Sequence, residues 1–124
     1  MLKISDRIAY ITRILKQYRF QNITLHSYKP GREKHSGWFR IIANKNGYRI
    51  FITELILHGQ IMKYSYTLLY DRRVLLRYDN APHHPEISTY PHHKHLGNLI
   101  KPLASPSIEE FMREAVSLMR NQQH

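Results

Sequence analysis

The sequence predicts an α+β fold in which an antiparallel meander sheet of about four to five strands packs on an N-terminal and a C-terminal helix. Apolar residues recur at helical spacing near both ends of the chain and alternate with polar residues at strand spacing between positions 38 and 79. The turns between these apolar runs are too short for the crossovers that parallel strands need. A length of 124 residues suits one domain, so a single domain over residues 1–124 is predicted.

The two terminal helices are predicted from apolar stripes and cap signals. Ser5 is predicted to cap the first helix, whose stripe recurs every three or four residues: Ile8, Ile11, Leu15 and Tyr18. Arg7 lies off this stripe and is predicted to face solvent. The last helix is predicted to begin with a capping box at Ser107 and to bury four residues: Ile108, Phe111, Ala115 and Leu118.

Four strands are predicted between the helices, at residues 38–43, 48–57, 60–70 and 73–79. The dipeptide Asn46-Gly47 between the first two apolar runs is a strong signal for a hairpin. Residues 29–37 are predicted to form a loop, because proline and glycine bound them. Residues 80–106 carry five prolines and are predicted to be irregular. A loop of that length inside a compact domain more often has a function than serves only as a connection.

Side-chain alternation along two of these strands places three polar residues on one face of the sheet. Lys63 alternates with apolar neighbours on the strand over residues 60–70, as Arg77 and Asp79 do on the strand over 73–79. The alternate positions hold tyrosines that are predicted to lie in the core: Tyr64, Tyr66 and Tyr78. If the apolar residues face the helices, Lys63, Arg77 and Asp79 emerge together on the opposite face.

The charge balance indicates an anionic partner. The chain has a net charge of +10, and residues 1–106 alone carry 17 basic and 6 acidic residues, or +11. Such a surface attracts polyanions and releases their counterions. The absence of cysteine excludes disulfides, thiolate metal sites and a cysteine nucleophile. No segment is apolar enough to span a membrane, so a cytoplasmic protein with no membrane contact is predicted.

Histidines concentrate in one short segment of the chain. Five of the nine lie between positions 83 and 95, after Arg77 and Asp79 at the end of a predicted strand. Imidazole titrates near neutrality, so it can accept a proton, donate one or bind a metal ion. Together with an arginine, an aspartate and a lysine, these imidazoles favour phosphodiester chemistry over a surface role.

The same residues resemble a known family. The run Leu-Arg-Tyr-Asp-Asn over residues 76–80, the His-Lys-His over 93–95 and the Pro-Ser-x-Glu-Glu over 106–110 resemble the TumE family of toxins. The resemblance covers roughly residues 60–120, and includes the Tyr-x-Tyr over 64–66 and the Asn-Ala-Pro-His-His-Pro-Glu-Ile-Ser over 80–88. It implies a toxin from a prokaryotic toxin–antitoxin module, with a helix-turn-helix antitoxin as partner. It also implies a compact fold like that of the RelE and barnase ribonucleases.

Cleavage of RNA without a metal ion needs a base, an acid and a cation for the charged phosphorane. His93 and His95 are predicted to supply the acid and the base. Arg77 and Lys63 are predicted to hold the phosphate, and Asp79 to orient an imidazole or stabilise its protonated form. The predicted function is therefore a toxin that acts as a metal-independent endoribonuclease, with RNA as substrate and no cofactor.

Six further residues are predicted to contact RNA: Lys94, Asn80, His84, His92, Tyr90 and Lys34. Tyr90 is the aromatic residue best placed to stack on a base, and Lys34 belongs to a basic loop that can follow phosphates. Two other interpretations stay open. One is a non-catalytic RNA- or DNA-binding domain, and the other is a protein whose histidines bind zinc or iron. The excess of positive charge further predicts an acidic segment on the antitoxin.

Overall fold

The computed structural model describes residues 1–121, which form two helices and one seven-stranded antiparallel sheet. In chain order the elements are α1 (Ile4–Gln17), β1 (Gln21–Pro30), β2 (Gly37–Lys45), β3 (Tyr48–Leu57), β4 (Gln60–Tyr70), β5 (Arg73–Asp79), β6 (His93–Leu96), β7 (Leu99–Pro102) and α2 (Ile108–Asn121). The strands follow one another in the sheet as they do in the chain. The α+β class and the antiparallel meander are therefore confirmed, whereas the prediction of four to five strands was wrong.

The four central strands, β2 to β5, are the four that the sequence predicts. The bounds of β3, β4 and β5 are those predicted, and β2 extends beyond its predicted bounds at both ends. The hairpin between β2 and β3 turns at Asn46 and Gly47, whose φ angles are +50° and +83°. Asparagine and glycine tolerate positive φ better than other residues, which is why this dipeptide marks the turn.

Three strands at the two edges of the sheet were not predicted. β1 pairs with β2 but is exposed along most of its length, so it shows no clear apolar alternation. β6 and β7 have four residues each and lie inside residues 80–106, so the prediction of an irregular segment was wrong there. β1 also runs through Pro30, which reduces the loop predicted over residues 29–37 to a turn over 31–36.

Both helices pack on one face of the sheet, which we call the covered face. The rings of Tyr66 and Tyr78 contact Phe111 of α2, with centroids 5.6 and 5.3 Å apart. α1 buries Ile11 and Leu15 of its predicted stripe completely. The tyrosines that alternation assigned to the core are buried, so the apolar faces of β4 and β5 were predicted correctly.

Ser107 caps α2 as one half of the predicted capping box, whereas the cap predicted for α1 was wrong. Ser107 Oγ accepts a hydrogen bond from the backbone N–H of Glu110 at 3.1 Å. At the other helix the N-cap position is Lys3, which makes no side-chain cap bond, so Ser5 lies inside the first turn. Neither helix among residues 1–121 is long and apolar enough to cross a membrane.

Arg7 was predicted to face solvent but lies against the sheet. Its Nε and Nη2 donate to the two carboxylate oxygens of Glu54 on β3, at 2.9 and 2.8 Å. Glu54 is fully buried and also accepts from the hydroxyl of Tyr66. Burial alone would lower the pKa of Arg7, but the hydrogen bonds and charge of Glu54 raise it. The pair ties α1 to the sheet, because neither charge could be buried there alone at small cost.

Candidate active site on the open sheet face

The face of the sheet opposite the helices, which we call the open face, presents polar side chains in register. Residues directly opposite each other in an antiparallel pair point to the same side of the sheet. The pairing aligns one row across five strands: Arg40, Thr53, Ser65, Asp79 and His93. One flanking row holds Thr67, Arg77 and His95, and the other holds Trp38, Leu55 and Lys63. Cations, a carboxylate and imidazoles therefore share one surface.

The Arg-Tyr-Asp-Asn motif at the end of β5 contributes to both faces. Arg77 and Asp79 lie on the open face, whereas Tyr78 is buried and its hydroxyl donates to Glu114 of α2 at 2.5 Å. Asn80 continues the strand ladder beyond the last residue pair. Its side-chain oxygen accepts from a backbone N–H of β4 at 3.1 Å, and its amide donates to a backbone carbonyl of the same strand at 3.0 Å. Both ends of the Asn80 amide are therefore used within the fold.

Two histidines contact one carboxylate and a third packs against their rings, and we call the four residues the histidine cluster: Asp79, His84, His93 and His95. His93 Nε2 lies 3.0 Å from Asp79 Oδ1 and 3.1 Å from His95 Nε2. His95 Nε2 lies 3.7 Å from Asp79 Oδ2. The ring of His84, from the loop between β5 and β6, has its centroid 5.0 Å from that of His93 and 5.8 Å from that of His95. Strand alternation explains why residues 93 and 95 reach the same face.

Hydrogen bonds restrict where the protons of this cluster lie. His93 Nδ1 is 3.0 Å from the backbone carbonyl of Pro91, which can only accept, so Nδ1 carries a proton. His93 Nε2 then faces Asp79 and His95 with either a lone pair or a second proton. The carboxylate of Asp79 is held in place by the backbone N–H of Ala81, which donates to it at 3.0 Å. The three side chains therefore share one position at which a proton can be exchanged.

The three imidazoles of the cluster differ in their exposure to solvent. The side chain of His93 is 3% exposed, whereas those of His84 and His95 are 25% and 27% exposed. Burial lowers the pKa of His95; Asp79 opposes this effect, and the neighbouring positive groups, Arg77 among them, add to it. The neutral form of His95 is therefore favoured, which is the form that accepts a proton or binds a metal ion.

A cavity of about 660 Å³ lies on the open face, with Asp79 of the histidine cluster in its wall. Lys63 and Arg77 also line it, so the three residues that alternation assigned to one face do meet there. A further wall residue is Trp38, the only tryptophan of the chain, whose ring centroid lies 5.9 Å from the guanidinium carbon of Arg40. Trp38 was not predicted as a site residue. The same alternation, continued from β4 through β3 to β2, would have identified it.

Of the five predicted catalytic residues, Lys63, Arg77 and Asp79 line the cavity. His93 and His95 do not line it but contact Asp79 at its wall. Several predicted RNA contacts lie elsewhere. Lys94 points to the covered face, where its Nζ donates to both carboxylate oxygens of Glu114 at 3.0 and 3.1 Å. His92 stacks on Tyr64, and its Nδ1 lies 2.8 Å from the Tyr64 hydroxyl. Two further residues do not line the cavity: Tyr90, exposed in the loop between β5 and β6, and Lys34, in the turn between β1 and β2.

Among residues 1–121, one group of side chains has the spacing to hold a metal ion. His84, His93 and His95 offer nitrogen atoms that all lie within 4.8 Å of one another. The carboxylate of Asp79 contacts two of these three rings. The interpretation of the chain as a metal-binding protein therefore stays open on geometric grounds.

These features define a class, namely a small basic α+β protein with a histidine cluster beside a cation-lined cavity on an uncovered antiparallel sheet. A family model described as Toxin TumE matches residues 11–123, nearly the whole chain. The chain therefore belongs to the TumE toxin family, and is a toxin of a toxin–antitoxin system with a cognate antitoxin. No curated protein and no solved structure gives a significant match. The relation to the RelE and barnase ribonucleases stays a prediction.

Proposed function

We propose that this toxin is an endoribonuclease that cleaves RNA without a metal ion and leaves a 2′,3′-cyclic phosphate. The observation that supports this proposal is the histidine cluster beside Lys63 and Arg77 on the open face. Activation of the 2′-hydroxyl needs a base, the phosphorane needs cations, and the leaving 5′-oxygen needs an acid. All three kinds of group lie on one surface of a protein with a net charge of +10.

His95 is the proposed general base and His84 the proposed general acid, because these are the two imidazoles of the cluster that solvent reaches. Their ring centroids are 5.8 Å apart, so both rings can contact one phosphate that lies above them on the open face. His93 is too buried to contact RNA. Its proposed role is to position His95 and to link it to Asp79, whose charge stabilises the proton that His95 gains. The acid was predicted among residues 93 and 95, and accessibility favours His84 instead.

The cations of the open face have distinct proposed tasks in holding RNA. Arg77 Nε donates to Thr67 Oγ1 at 3.2 Å, which fixes the guanidinium beside the histidine cluster for contact with the scissile phosphate. Lys63 is exposed at the cavity and supplies a point charge for a neighbouring phosphate. Trp38 forms a wall on which a base can stack, a contact worth about 1–3 kcal/mol per base.

The cognate antitoxin is proposed to cover the open face. A ribonuclease with this surface must be neutralised in its host, and residues 1–106 carry a charge of +11. An acidic segment on a small helix-turn-helix partner would complement the surface around Lys63, Arg77 and His95, because complementary charge speeds association and disfavours wrong partners. The reading frame next to the toxin gene should therefore encode such a protein.

The variant His95→Ala tests the proposed mechanism. We expect RNA cleavage to fall by about 10²–10⁴-fold, the usual contribution of a general base, and growth inhibition to be lost while RNA binding is kept. The matched control is His26→Ala on β1, whose ring contacts the neighbouring Ser27 and lies four strands from β5. Cleavage of labelled RNA in EDTA, beside a 2′-deoxy substrate, is the measurement.

Four outcomes would contradict the proposal. Cleavage that stops in EDTA, or that proceeds equally on the 2′-deoxy substrate, excludes this mechanism. Equal cleavage by His95→Ala and His26→Ala excludes the histidine cluster as its source. RNA binding without any cleavage by the unchanged protein would favour the non-catalytic binding domain, since the cation-lined cavity suits both functions.

A further inference from the structure

Three distances within the histidine cluster lie close to those of a four-ligand metal site. In a tetrahedral zinc site with ligand bonds of about 2.0–2.2 Å, neighbouring ligand atoms lie roughly 3.3–3.6 Å apart. The three contacts among Asp79, His93 and His95 measure 3.0, 3.1 and 3.7 Å, on either side of that range. His84 offers a nitrogen within 4.8 Å of the other two imidazoles. We propose that these four residues bind one divalent transition-metal ion of the zinc type.

The outer hydrogen bonds of two rings support this site independently. His93 Nδ1 donates to the backbone carbonyl of Pro91 at 3.0 Å, and His84 Nδ1 lies 3.2 Å from Glu86 Oε1. Metal-ligating histidines almost always use their second nitrogen in this way, because the bond fixes the tautomer and aims the other nitrogen at the ion. Nε2 of both rings is therefore left for the metal.

Charge within the cluster also favours a cation. When His93 is neutral its proton lies on Nδ1, and the lone pair of Nε2 then faces a carboxylate oxygen of Asp79 at 3.0 Å. Two such groups repel each other unless a positive charge lies between them. A proton supplies that charge to one pair of atoms at a time. A metal ion supplies it to all the ligands at once.

The ligand types select the class of ion. Three imidazoles and one carboxylate suit Zn²⁺, Co²⁺ or Ni²⁺, whereas Mg²⁺ and Ca²⁺ prefer oxygen ligands. Arg77 lies in the neighbouring row of the open face, and the net charge is +10. Both oppose a cation, so the affinity should be lower than that of a structural zinc site.

Metal binding would regulate the toxin, and this consequence rests on the proposed ribonuclease function. A bound ion takes up the lone pair of His95 that would otherwise remove the proton of the 2′-hydroxyl. Zn²⁺ is therefore expected to inhibit cleavage and a chelator to restore it. The metal site itself rests only on geometry and can be tested without any activity.

Titration of the full-length toxin with Co²⁺ tests the site, because tetrahedral Co²⁺ absorbs visible light much more strongly than octahedral Co²⁺. We expect one tetrahedral Co²⁺ per chain, displaced by one Zn²⁺. His84→Ala and Asp79→Asn should each weaken binding by at least about tenfold, and Glu86→Gln by about tenfold as a partner of a ligand. His26→Ala removes an imidazole elsewhere and should bind as the unchanged protein does. Circular dichroism verifies that each variant is folded.

The outcomes separate this proposal from the ribonuclease proposal. No tetrahedral Co²⁺ spectrum, or equal affinity in His84→Ala, Asp79→Asn and the unchanged protein, would overturn the metal site and leave metal-free cleavage standing. Cleavage that EDTA abolishes and Zn²⁺ restores would support the site and overturn the metal-independent mechanism. A third result would support both the metal site and metal-independent cleavage. In that result cleavage persists in EDTA, Zn²⁺ inhibits it, and the Glu86→Gln protein needs a higher Zn²⁺ concentration for the same inhibition.

Discussion

The two faces of the sheet differ in how their charged side chains are paired. On the covered face, the carboxylates of Glu54 and Glu114 each accept from a cation and from a tyrosine hydroxyl. On the open face, Lys63 and Arg77 form no ion pair with a carboxylate among residues 1–121, and Asp79 pairs with imidazoles. Charge on the covered face therefore stabilises the fold, whereas charge on the open face stays available to a ligand. Substitutions on the two faces should separate stability from RNA binding.

The largest effect on stability is expected from Glu54→Gln on the covered face. The change leaves the guanidinium of Arg7 buried without its counter-charge, which typically costs about 3–5 kcal/mol of unfolding free energy. Urea denaturation followed by circular dichroism measures the loss. The control is Thr53→Ala on the open face of the same strand, which removes one hydrogen bond from Arg40 and should cost about 1 kcal/mol. Equal midpoints for the two variants would contradict this account of the covered face.

The next effect concerns RNA affinity and the aromatic wall of the open face. Trp38→Ala should weaken the binding of single-stranded RNA by about 1–3 kcal/mol, whereas Trp38→Phe keeps a stacking surface and should lose less. Since Trp38 is the only tryptophan, its fluorescence should change when RNA binds to the His95→Ala protein, for which the proposed mechanism expects slow cleavage. Tyr90→Ala is the matched comparison, because Tyr90 is exposed but does not line the cavity. A greater loss for Tyr90→Ala would place base contact in the loop instead.

The smallest effect is expected from a single cation, and it should appear in the salt dependence. Lys63→Ala should reduce the slope of log affinity against log salt by about one unit, because one phosphate contact is lost. Lys94→Ala should leave the slope unchanged, since Lys94 is bound to Glu114 on the covered face. Filter binding at several salt concentrations distinguishes the two. Equal slopes for the two variants would show that Lys63 does not contact RNA.

The sequence predicts the centre of the sheet better than its edges, for a physical reason. β2 to β5 are buried on one face, so their side chains alternate clearly and their turns carry Asn-Gly, His-Gly and Asp-Arg pairs. β1 and β7 are edge strands with little buried surface, and β6 has only four residues. Such strands form mainly because they pair with an adjacent strand of the sheet. Their own sequences therefore show little alternation of apolar and polar residues.

The candidate site shows the same limit in its residues. Alternation on β4 and β5 was enough to bring Lys63, Arg77 and Asp79 to one face. Alternation did not show that Lys94 lies on the covered face, away from the site. The strand β6 was not predicted, so the residues of His-Lys-His could not be assigned to the two faces of the sheet. The position of His84 depends on the path of the loop between β5 and β6, which no periodic pattern describes.

The meander has a consequence for the order in which the toxin is made. Each strand pairs with its neighbour in the chain, so β1 to β5 can form as they leave the ribosome. The histidine cluster needs His93 and His95, which arrive only when β6 is added to β5. A nascent or truncated chain that ends before residue 93 lacks two of the four members of the cluster. The histidine cluster can therefore be completed only late in the synthesis of the chain.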